Sequence, residues 1–170
     1  METISTSSQN ELNYAGFWLR LAAYIIDGFI IGVISLIIAI PSILIIASMA
    51  IGLDNISDPK DLLADGNLLK LGVIVGIIIL ISLLSLVTTW LYYALFESSK
   101  QGGTLGKMAV NIKVVTYDGE RVSFGRATGR YFARIITNMT LLVGYIMAGF
   151  TEKKQALHDI LANCIVVRKD

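Results

Sequence analysis

Two long blocks of apolar residues constrain the fold of this chain more than any other feature. One block runs from Leu21 to Leu53 with Asp27 as its only charged residue, and the other runs from Leu68 to Phe96. Each is longer than the ~20 residues that a helix needs to cross a hydrocarbon core of ~30 Å. A chain of 170 residues that is 55% hydrophobic and 16% charged has too much apolar surface for a soluble domain to bury. The blocks therefore predict membrane-spanning helices at about 21–50 and 68–96, and they exclude a disordered chain and a soluble nucleotide-binding enzyme.

Charges outside these blocks predict the orientation of the chain. The first connection carries four acidic residues and two lysines, namely Asp54, Asp58, Asp61, Asp65, Lys60 and Lys70. Between Glu97 and Arg134 there are seven basic residues and three acidic ones. Because cytoplasmic connections are rich in lysine and arginine, we expect this second connection and the N-terminus in the cytoplasm. Residues 1–13 form a polar tail without the basic start of a signal peptide, so the membrane domain is predicted at 14–170.

The stretch 135–150 leaves the topology open. It is apolar but shorter than an ordinary span, and it is interrupted by Asn138, Gly144 and Gly149. Either it is a short third span or it dips into the membrane and returns as a re-entrant helical hairpin. The fold class is in both cases an all-α integral membrane protein with two full transmembrane helices and a small cytoplasmic β element.

The β element is predicted from two places in the sequence. Residues 111–124 indicate two short β segments joined by a turn at Asp118–Gly119, followed by Ser123 as a helix N-cap. The last segment, 162–169, has the composition of a third strand beside this hairpin. If these strands pair, they lie on one side of the membrane, which favours the re-entrant arrangement of 135–150.

Composition and motifs argue against cofactor chemistry. The single cysteine, Cys164, and the single histidine, His158, cannot form a disulfide or a usual zinc site. The Gly-rich stretch 102–107 lacks the spacing of a phosphate-binding loop, so we expect a turn there with Lys107 at the lipid headgroups. A net charge of +1 gives no bulk attraction to nucleic acid. We expect no enzymatic activity, no metal, no cofactor and no nucleic acid partner.

Arg20 and Asp27 are the charged residues closest to the start of the first span. They are seven residues apart, which in a helix places them within about 20° of one face and roughly 10 Å apart along the axis, with Tyr24 between them. An unpaired carboxylate inside the membrane costs on the order of 3 kcal/mol. Asp27 therefore needs a proton or a partner. Arg20 lies too far along the helix for a direct ion pair unaided, so Arg130 or Arg134 on the later basic helix is an equally good candidate.

Each buried charge has a structural and a functional interpretation. Asp27 is either part of a structural ion pair or hydrogen bond, or a protonatable cation site. Hydroxyls of the second span, such as Ser82 and Thr89, would then supply oxygen ligands for sodium. Asp159 is either salt-bridged to the arginine-bearing helix or the second carboxylate of a proton or cation path. Its neighbour His158 could relay protons at neutral pH.

Four segments together resemble the RDD family of membrane proteins. They are AGFWLRLAAYIID, GGTLGKMAVNIKVVTYDGERVS, GRYFARI and ALHDILANCIVV, in this order between Tyr14 and Val167. The family is named for one arginine and two aspartates, which the resemblance places at Arg20, Asp27 and Asp159. It implies a multi-pass protein of the cell inner (plasma) membrane of a bacterium or archaeon. Most members of the family have no assigned biochemical function; a transport role is proposed for the family, and cation/proton antiport for some members. Many members carry Gly-Thr where this chain has Asn163–Cys164, so the local turn is expected to differ.

Two functions follow from these observations. In the first, the protein is a secondary cation transporter of the Na+/H+ exchange type, in which Asp27 alternately holds a proton or a cation while Arg20 and Asp159 orient or gate it. In the second, it is a non-transporting accessory or scaffold protein whose buried charges hold its helices together. Further residues are expected to supply supporting charge or orientation in either case, namely Tyr24, Glu97, Arg130 and Arg134.

Small residues in both spans point to self-association. Gly28 and Gly32 in the first span, and Gly72 and Gly76 in the second, form the GxxxG pattern that permits close approach of membrane helices. Two or three spans give few walls for a transport pathway, so transport predicts a homo-oligomer. The expected partners are therefore the lipid bilayer, a second copy of the chain and, for a transporter, Na+ and H+.

Overall fold

Two long helices dominate the protein, as predicted. The computed structural model describes residues 13–51, 66–140 and 143–169. Helix α1 (Phe17–Ala50) and helix α2 (Asn67–Glu97) are each long and apolar enough to cross a membrane. The predicted tail at 1–13 lies outside the described residues except for Asn13, as does most of the first connection.

The chain divides into two compact units, and residues 28–91 form one of them. This unit contains the apolar lengths of both long helices, and most of its large side chains are exposed, as expected for surfaces that meet lipid. Around each of the GxxxG residues Gly28, Gly32, Gly72 and Gly76 an added methyl group would meet no described atom within 4 Å. These glycines therefore mediate no close helix contact among the described residues.

The other unit comprises residues 1–27 and 92–170 and contains the remaining elements. These are α3 (Leu105–Ala109), β1 (Ile112–Thr116), α4 (Phe124–Met139), α5 (Val143–Phe150), α6 (Leu157–Leu161) and β2 (Cys164–Arg168). Its small apolar core joins both strands to the start of α1 and to α4, through Ala23, Ile112, Val114, Ala127 and Val166. The core thus connects the two chain ends to the segment that follows α2.

The sheet differs in part from the predicted one. The C-terminal strand β2 pairs antiparallel with β1, as expected, and Tyr14 adds a single bridge to Val167 at the other edge. The predicted turn at Asp118–Gly119 exists, with Gly119 at φ 79°. The predicted second hairpin strand was wrong, because this segment makes only one bridge, from Arg121 to Val115. It has no room to extend, since Ser123 caps α4 two residues later and accepts a hydrogen bond from the Arg126 N–H.

Strand pairing also bears on the membrane topology. Helices α4 and α5 meet at an angle of 104°, so together they are either a broken span or a re-entrant loop. Strand β1 follows α2 and strand β2 follows α5, yet the two strands are hydrogen-bonded to each other. A complete third crossing would place them on opposite sides of the bilayer. The pairing therefore favours the re-entrant alternative.

Helix α4 buries two of its three arginines and exposes apolar side chains. Arg130, Arg134 and Thr137 lie on its buried face, whereas Phe132 and Ile136 are exposed on the opposite side. This is the reverse of a soluble amphipathic helix, whose apolar face is the buried one. It is the arrangement expected where lipid surrounds the helix and charged groups must find partners inside the protein.

Candidate functional site

Asp159 holds together the first part of a buried charge network. Its carboxylate is fully buried and pairs with Arg20 at the start of α1 through Oδ2. Its Oδ1 accepts hydrogen bonds from Arg130 of α4, from Nε at 2.8 Å and from Nη2 at 2.5 Å. Oδ2 also accepts a hydrogen bond from the backbone N–H of Ala156 at 3.1 Å, where α6 begins. The predicted salt bridge between Asp159 and the arginine-bearing helix is therefore present.

Glu97, the last residue of α2, forms the second part of the network. One oxygen, Oε1, accepts hydrogen bonds from Arg130 at 2.6 Å and from Arg134 at 3.4 Å, and it also pairs with Lys107. Arg134 in addition lies over the ring of Tyr93, 4.1 Å from its centroid. Lys107 is buried, which corrects its predicted position at the lipid headgroups. The carboxylate of Glu97 offsets part of the cost of burying this ammonium group.

Asp27 is buried apart from these ion pairs and is held by neutral donors. Its carboxylate accepts hydrogen bonds from the Tyr92 hydroxyl at 2.7 Å, the Thr104 hydroxyl at 2.5 Å and the backbone N–H of Gly106 at 2.7 Å. The arginines predicted as its partners, Arg130 and Arg134, instead bind Asp159 and Glu97. The prediction that Asp27 meets a cation of the later helix was therefore wrong.

Gly106 explains how Asp27 finds these donors. A methyl group on Gly106 would collide with the carbonyl oxygen of Ala23 and would lie 2.8 Å from the Asp27 carboxylate. Only glycine allows the backbone of α3 to approach α1 so closely. Sequence reasoning treated the stretch 102–107 as a simple turn, although its concentration of small residues was a signal for such close packing.

A cavity of about 350 Å³ lies beside the network, within the same unit. Its polar border includes Asp27, Tyr24, Asn138 and His158, together with the network cations Arg20, Lys107, Arg130 and Arg134. Apolar side chains form the rest of the wall, among them Phe17, Leu21 and Ile146. Tyr24, which was expected to support the charged residues, borders the cavity and packs near Tyr145 with their ring centroids 6.2 Å apart.

Burial and neighbouring charges alter the titration of three groups in the segments outside the membrane helices. Burial raises the pKa of the Asp159 carboxyl, but the charges of Arg130 and Arg20 outweigh burial and hold this pKa well below its ordinary value. Burial lowers the pKa of His158 well below 6.5, and the opposing charge of Asp159 does not offset it. Burial also lowers the pKa of Lys107 to about 8 against the opposing charge of Glu97. At neutral pH the carboxylate is therefore ionised and the imidazole is neutral.

Neither metal binding nor a hydroxyl-lined path is apparent in the described part of the chain. There, no group of three His, Cys, Asp or Glu side chains is placed to hold a metal ion. The hydroxyls of Ser82 and Thr89, considered above as sodium ligands, donate hydrogen bonds at 2.8 Å to carbonyl oxygens of their own helix. The hydroxyls that reach a carboxylate are those of Tyr92 and Thr104, which sequence reasoning did not single out.

Comparison with known proteins supports the resemblance noted in the sequence. The family model of the RDD family matches residues 14–163. The chain belongs to the RDD family. A relative from Bacillus subtilis (strain 168), Uncharacterized protein YxaI, is 40% identical over 155 residues, which cover 91% of this chain and 97% of the relative. No solved structure matches the chain.

The structure places the three residues that the RDD resemblance implied in one unit but not in one cluster. Arg20 and Asp159 bind each other directly, whereas Asp27 is bound by Tyr92, Thr104 and Gly106. At the departure from the family pattern, Asn163 adopts φ 52°, a left-handed conformation that glycine favours and asparagine tolerates. The RDD family protein is thus a membrane protein with buried charges at the ends of its long helices.

Proposed function

We propose that this RDD family protein is a non-enzymatic accessory protein of the cell membrane, in which the buried charges serve as a structural clamp. The clamp joins the start of α1, the end of α2 and the α3–β2 segment into one unit. The observation that carries the proposal is the pairing of fully buried Asp159 with both Arg20 and Arg130. A carboxylate shared by two guanidinium groups is suited to holding helices together rather than to releasing a proton or cation.

The other two carboxylates support the same interpretation. Glu97 binds three cations through one oxygen, and Asp27 accepts three hydrogen bonds from the protein itself. Each buried carboxylate therefore replaces its lost hydration with protein donors, which is the condition for a stable buried charge. In this proposal the unit that contains the sheet is held at the membrane surface and is the part available to other proteins.

The orientation we propose has this unit and the N-terminus in the cytoplasm. Three of the basic residues between Glu97 and Arg134 form buried ion pairs, namely Lys107, Arg130 and Arg134. Their charges are therefore left out of the comparison that predicts the orientation. An excess of basic residues remains without them, with Lys100, Lys113, Arg121 and Arg126 against Asp118 and Glu120. This excess supports a cytoplasmic position.

Thiol labelling in intact cells tests that orientation. The native Cys164 is buried and is replaced by serine, and one cysteine is appended after Asp170. We expect the appended cysteine to resist an impermeant maleimide until the cells are permeabilised. Ready labelling from outside would contradict the combination of a cytoplasmic N-terminus with a re-entrant arrangement of α4 and α5.

Secondary cation transport is the second candidate function, and one observation favours it. Asp27 borders the cavity, and the hydroxyl oxygens of Tyr92 and Thr104 lie within hydrogen-bond distance of its carboxylate. Carboxylate and hydroxyl oxygens are ligands that suit a hard cation such as Na+. Against this function, the cavity is also bordered by Arg20, Lys107, Arg130 and Arg134, whose positive charges repel a cation.

Sodium-driven proton movement in vesicles distinguishes the two functions. Purified protein is reconstituted with a pH-sensitive dye inside, and an imposed Na+ gradient is applied to the wild type, to Asp27→Asn and to Asp118→Asn, a matched change at an exposed turn. The clamp proposal expects no signal above that of protein-free vesicles, while a Na+/H+ ionophore added at the end confirms that the vesicles are sealed. A signal that Asp27→Asn abolishes and Asp118→Asn retains would replace the clamp with transport, and light scattering would then test for the oligomer that transport requires.

A further inference from the structure

The cavity beside the charge network has the chemistry of an anion site. Four of the side chains that border it are cations of the network, namely Arg20, Lys107, Arg130 and Arg134. Only three carboxyl groups oppose these four positive charges, those of Asp27, Glu97 and Asp159. Each of these carboxyl groups already accepts several hydrogen bonds from the protein. The surroundings of the cavity therefore have an excess of positive charge.

Some buried side-chain nitrogens near the cavity also lack a hydrogen-bond partner. Within the described ranges, three buried side-chain nitrogens have no hydrogen-bond partner, and they are Nη2 of Arg20, Nη1 of Arg134 and Nδ1 of His158. All three belong to residues that border this one cavity. More than about 90% of buried polar groups in proteins are hydrogen-bonded. The two guanidinium nitrogens can only donate, so their lack of partners around one space indicates a ligand with acceptor atoms.

Apolar walls define the rest of that ligand. Phe17, Leu21 and Ile146 border the cavity, and its volume of about 350 Å³ lies at the lower end of the ~300–1,000 Å³ typical of small-ligand pockets. A small inorganic anion would satisfy the nitrogens but would leave these walls without a partner. A molecule that combines an oxyanion with a hydrocarbon part matches both.

We propose that this cavity binds the oxyanion group of an amphiphile, with the phosphate or carboxylate at Arg20, Arg134 and His158 and the hydrocarbon part against the apolar wall. The oxyanion accepts hydrogen bonds from the guanidinium N–H groups and neutralises the excess positive charge. This site shares Arg20 and Arg134 with the clamp but uses other nitrogens of the two side chains, because Nη1 of Arg20 and Nη2 of Arg134 make the ion pairs whereas Nη2 of Arg20 and Nη1 of Arg134 have no partner. Two sources supply the same chemistry, an anionic lipid of the bilayer and a soluble phosphate compound that carries an apolar part, for which inorganic phosphate serves as the probe of the oxyanion position.

Selective retention of lipid tests whether the ligand is an anionic lipid of the bilayer. The wild type is purified in nanodiscs that contain phosphatidylglycerol and phosphatidylcholine, and the lipids that stay bound after release are identified by native mass spectrometry. We expect the wild type to retain phosphatidylglycerol selectively. Arg134→Gln should reduce this retention by about tenfold, since it removes charge-assisted hydrogen bonds. Arg126→Gln is the matched control, because Arg126 lies on the same helix but is exposed and outside the cavity.

Titration with inorganic phosphate tests the second source. Its binding is measured by calorimetry on protein in nanodiscs of phosphatidylcholine alone. Phosphate binding that Arg134→Gln abolishes, without selective lipid retention, would support the site with a soluble anion as its ligand. Ile146→Trp fills the cavity without removing a charge, so it provides a second test if thermal unfolding shows that Arg134→Gln does not fold. The proposal is overturned if the wild type retains both lipids equally and binds no phosphate, or if Arg126→Gln weakens retention as much as the cavity variants do.

Discussion

Arg130 binds Asp159 through two of its guanidinium nitrogens. Nε and Nη2 of the arginine both donate to Oδ1 of the aspartate, at 2.8 and 2.5 Å, and both side chains are almost completely buried. The third nitrogen of the same guanidinium, Nη1, donates to Glu97 at 2.6 Å. One arginine thus joins the end of α2 to α6, and Asp159 in turn joins α6 to Arg20 at the start of α1.

Asp159→Asn tests how much this contact contributes to the free energy of unfolding. The change removes the charge that balances Arg20 and Arg130 and leaves both guanidinium groups buried with a weaker acceptor. Breaking a buried ion pair in this way costs about 3–5 kcal/mol, so we expect a loss of that size in the free energy of unfolding in detergent micelles. Asp118→Asn makes the same chemical change at an exposed turn and should alter stability by less than about 0.5 kcal/mol. Equal effects of the two variants would show that the network is not a clamp.

Gly106→Ala tests the close approach of α3 to α1. The new methyl group would collide with the Ala23 carbonyl and crowd the Asp27 carboxylate, so we expect a loss of about 1–3 kcal/mol. Gly129→Ala is the control, because Gly129 lies in α4 with open space around it. There, alanine should raise stability by up to about 1 kcal/mol through its higher helix propensity. Thermal unfolding of both variants in the same detergent measures the difference, and a tolerated alanine at position 106 would contradict the described packing.

Thr104→Val tests whether Asp27 depends on its neutral donors. Valine keeps the shape of threonine but removes the hydroxyl that donates to Asp27 at 2.5 Å. Loss of one donor to a buried carboxylate should cost about 1–3 kcal/mol. Thr104→Ser retains the hydroxyl and should recover most of this stability, apart from about 0.8 kcal/mol for the missing methyl group. If serine and valine are equally destabilising, the hydrogen bond contributes little.

Acid should destabilise the protein through His158 before it affects the carboxylates. The pKa of His158 lies well below 6.5 in the folded protein, so the unfolded chain takes up a proton first as the pH falls below 6.5. Stability therefore declines from about pH 6.5 downward. The contribution of Asp159, whose folded pKa is also lowered, is lost only as the pH falls below its ordinary value of 3.8. Unfolding midpoints recorded between pH 7 and pH 5 measure the first decline.

His158→Gln separates the histidine from other groups in this pH range. The groups that act on the imidazole are Asp159, Arg130, Arg134 and Lys107, and of these only the lysine has a pKa near neutrality, at about 8. Because glutamine does not titrate, the variant should show a much flatter midpoint between pH 7 and pH 5. An unchanged slope would assign the acid sensitivity to a different group.

Local features of the chain were predictable because they depend on residues close together in sequence. The apolar length of α1 and α2, the N-cap at Ser123 and the strand composition of β2 are all properties of short windows. The pairing of β2 near the segment after α2 was also predictable, since a short strand needs a neighbour. The extra hairpin strand was predicted wrongly, although the predicted cap at Ser123 already left only residues 120–122 between the turn and the next helix.

The partners of the buried charges depended on the folded chain. The apolar residues around Arg20 and Asp27 indicated that both charges need partners, because an isolated charge in lipid is costly. Arg20 found Asp159, but Asp27 found Tyr92, Thr104 and the backbone of Gly106. Hydrogen-bond distances of less than 3 Å are set by how closely the backbones can approach. That approach depends on a glycine in contact with a distant helix, which spacing along the chain does not encode.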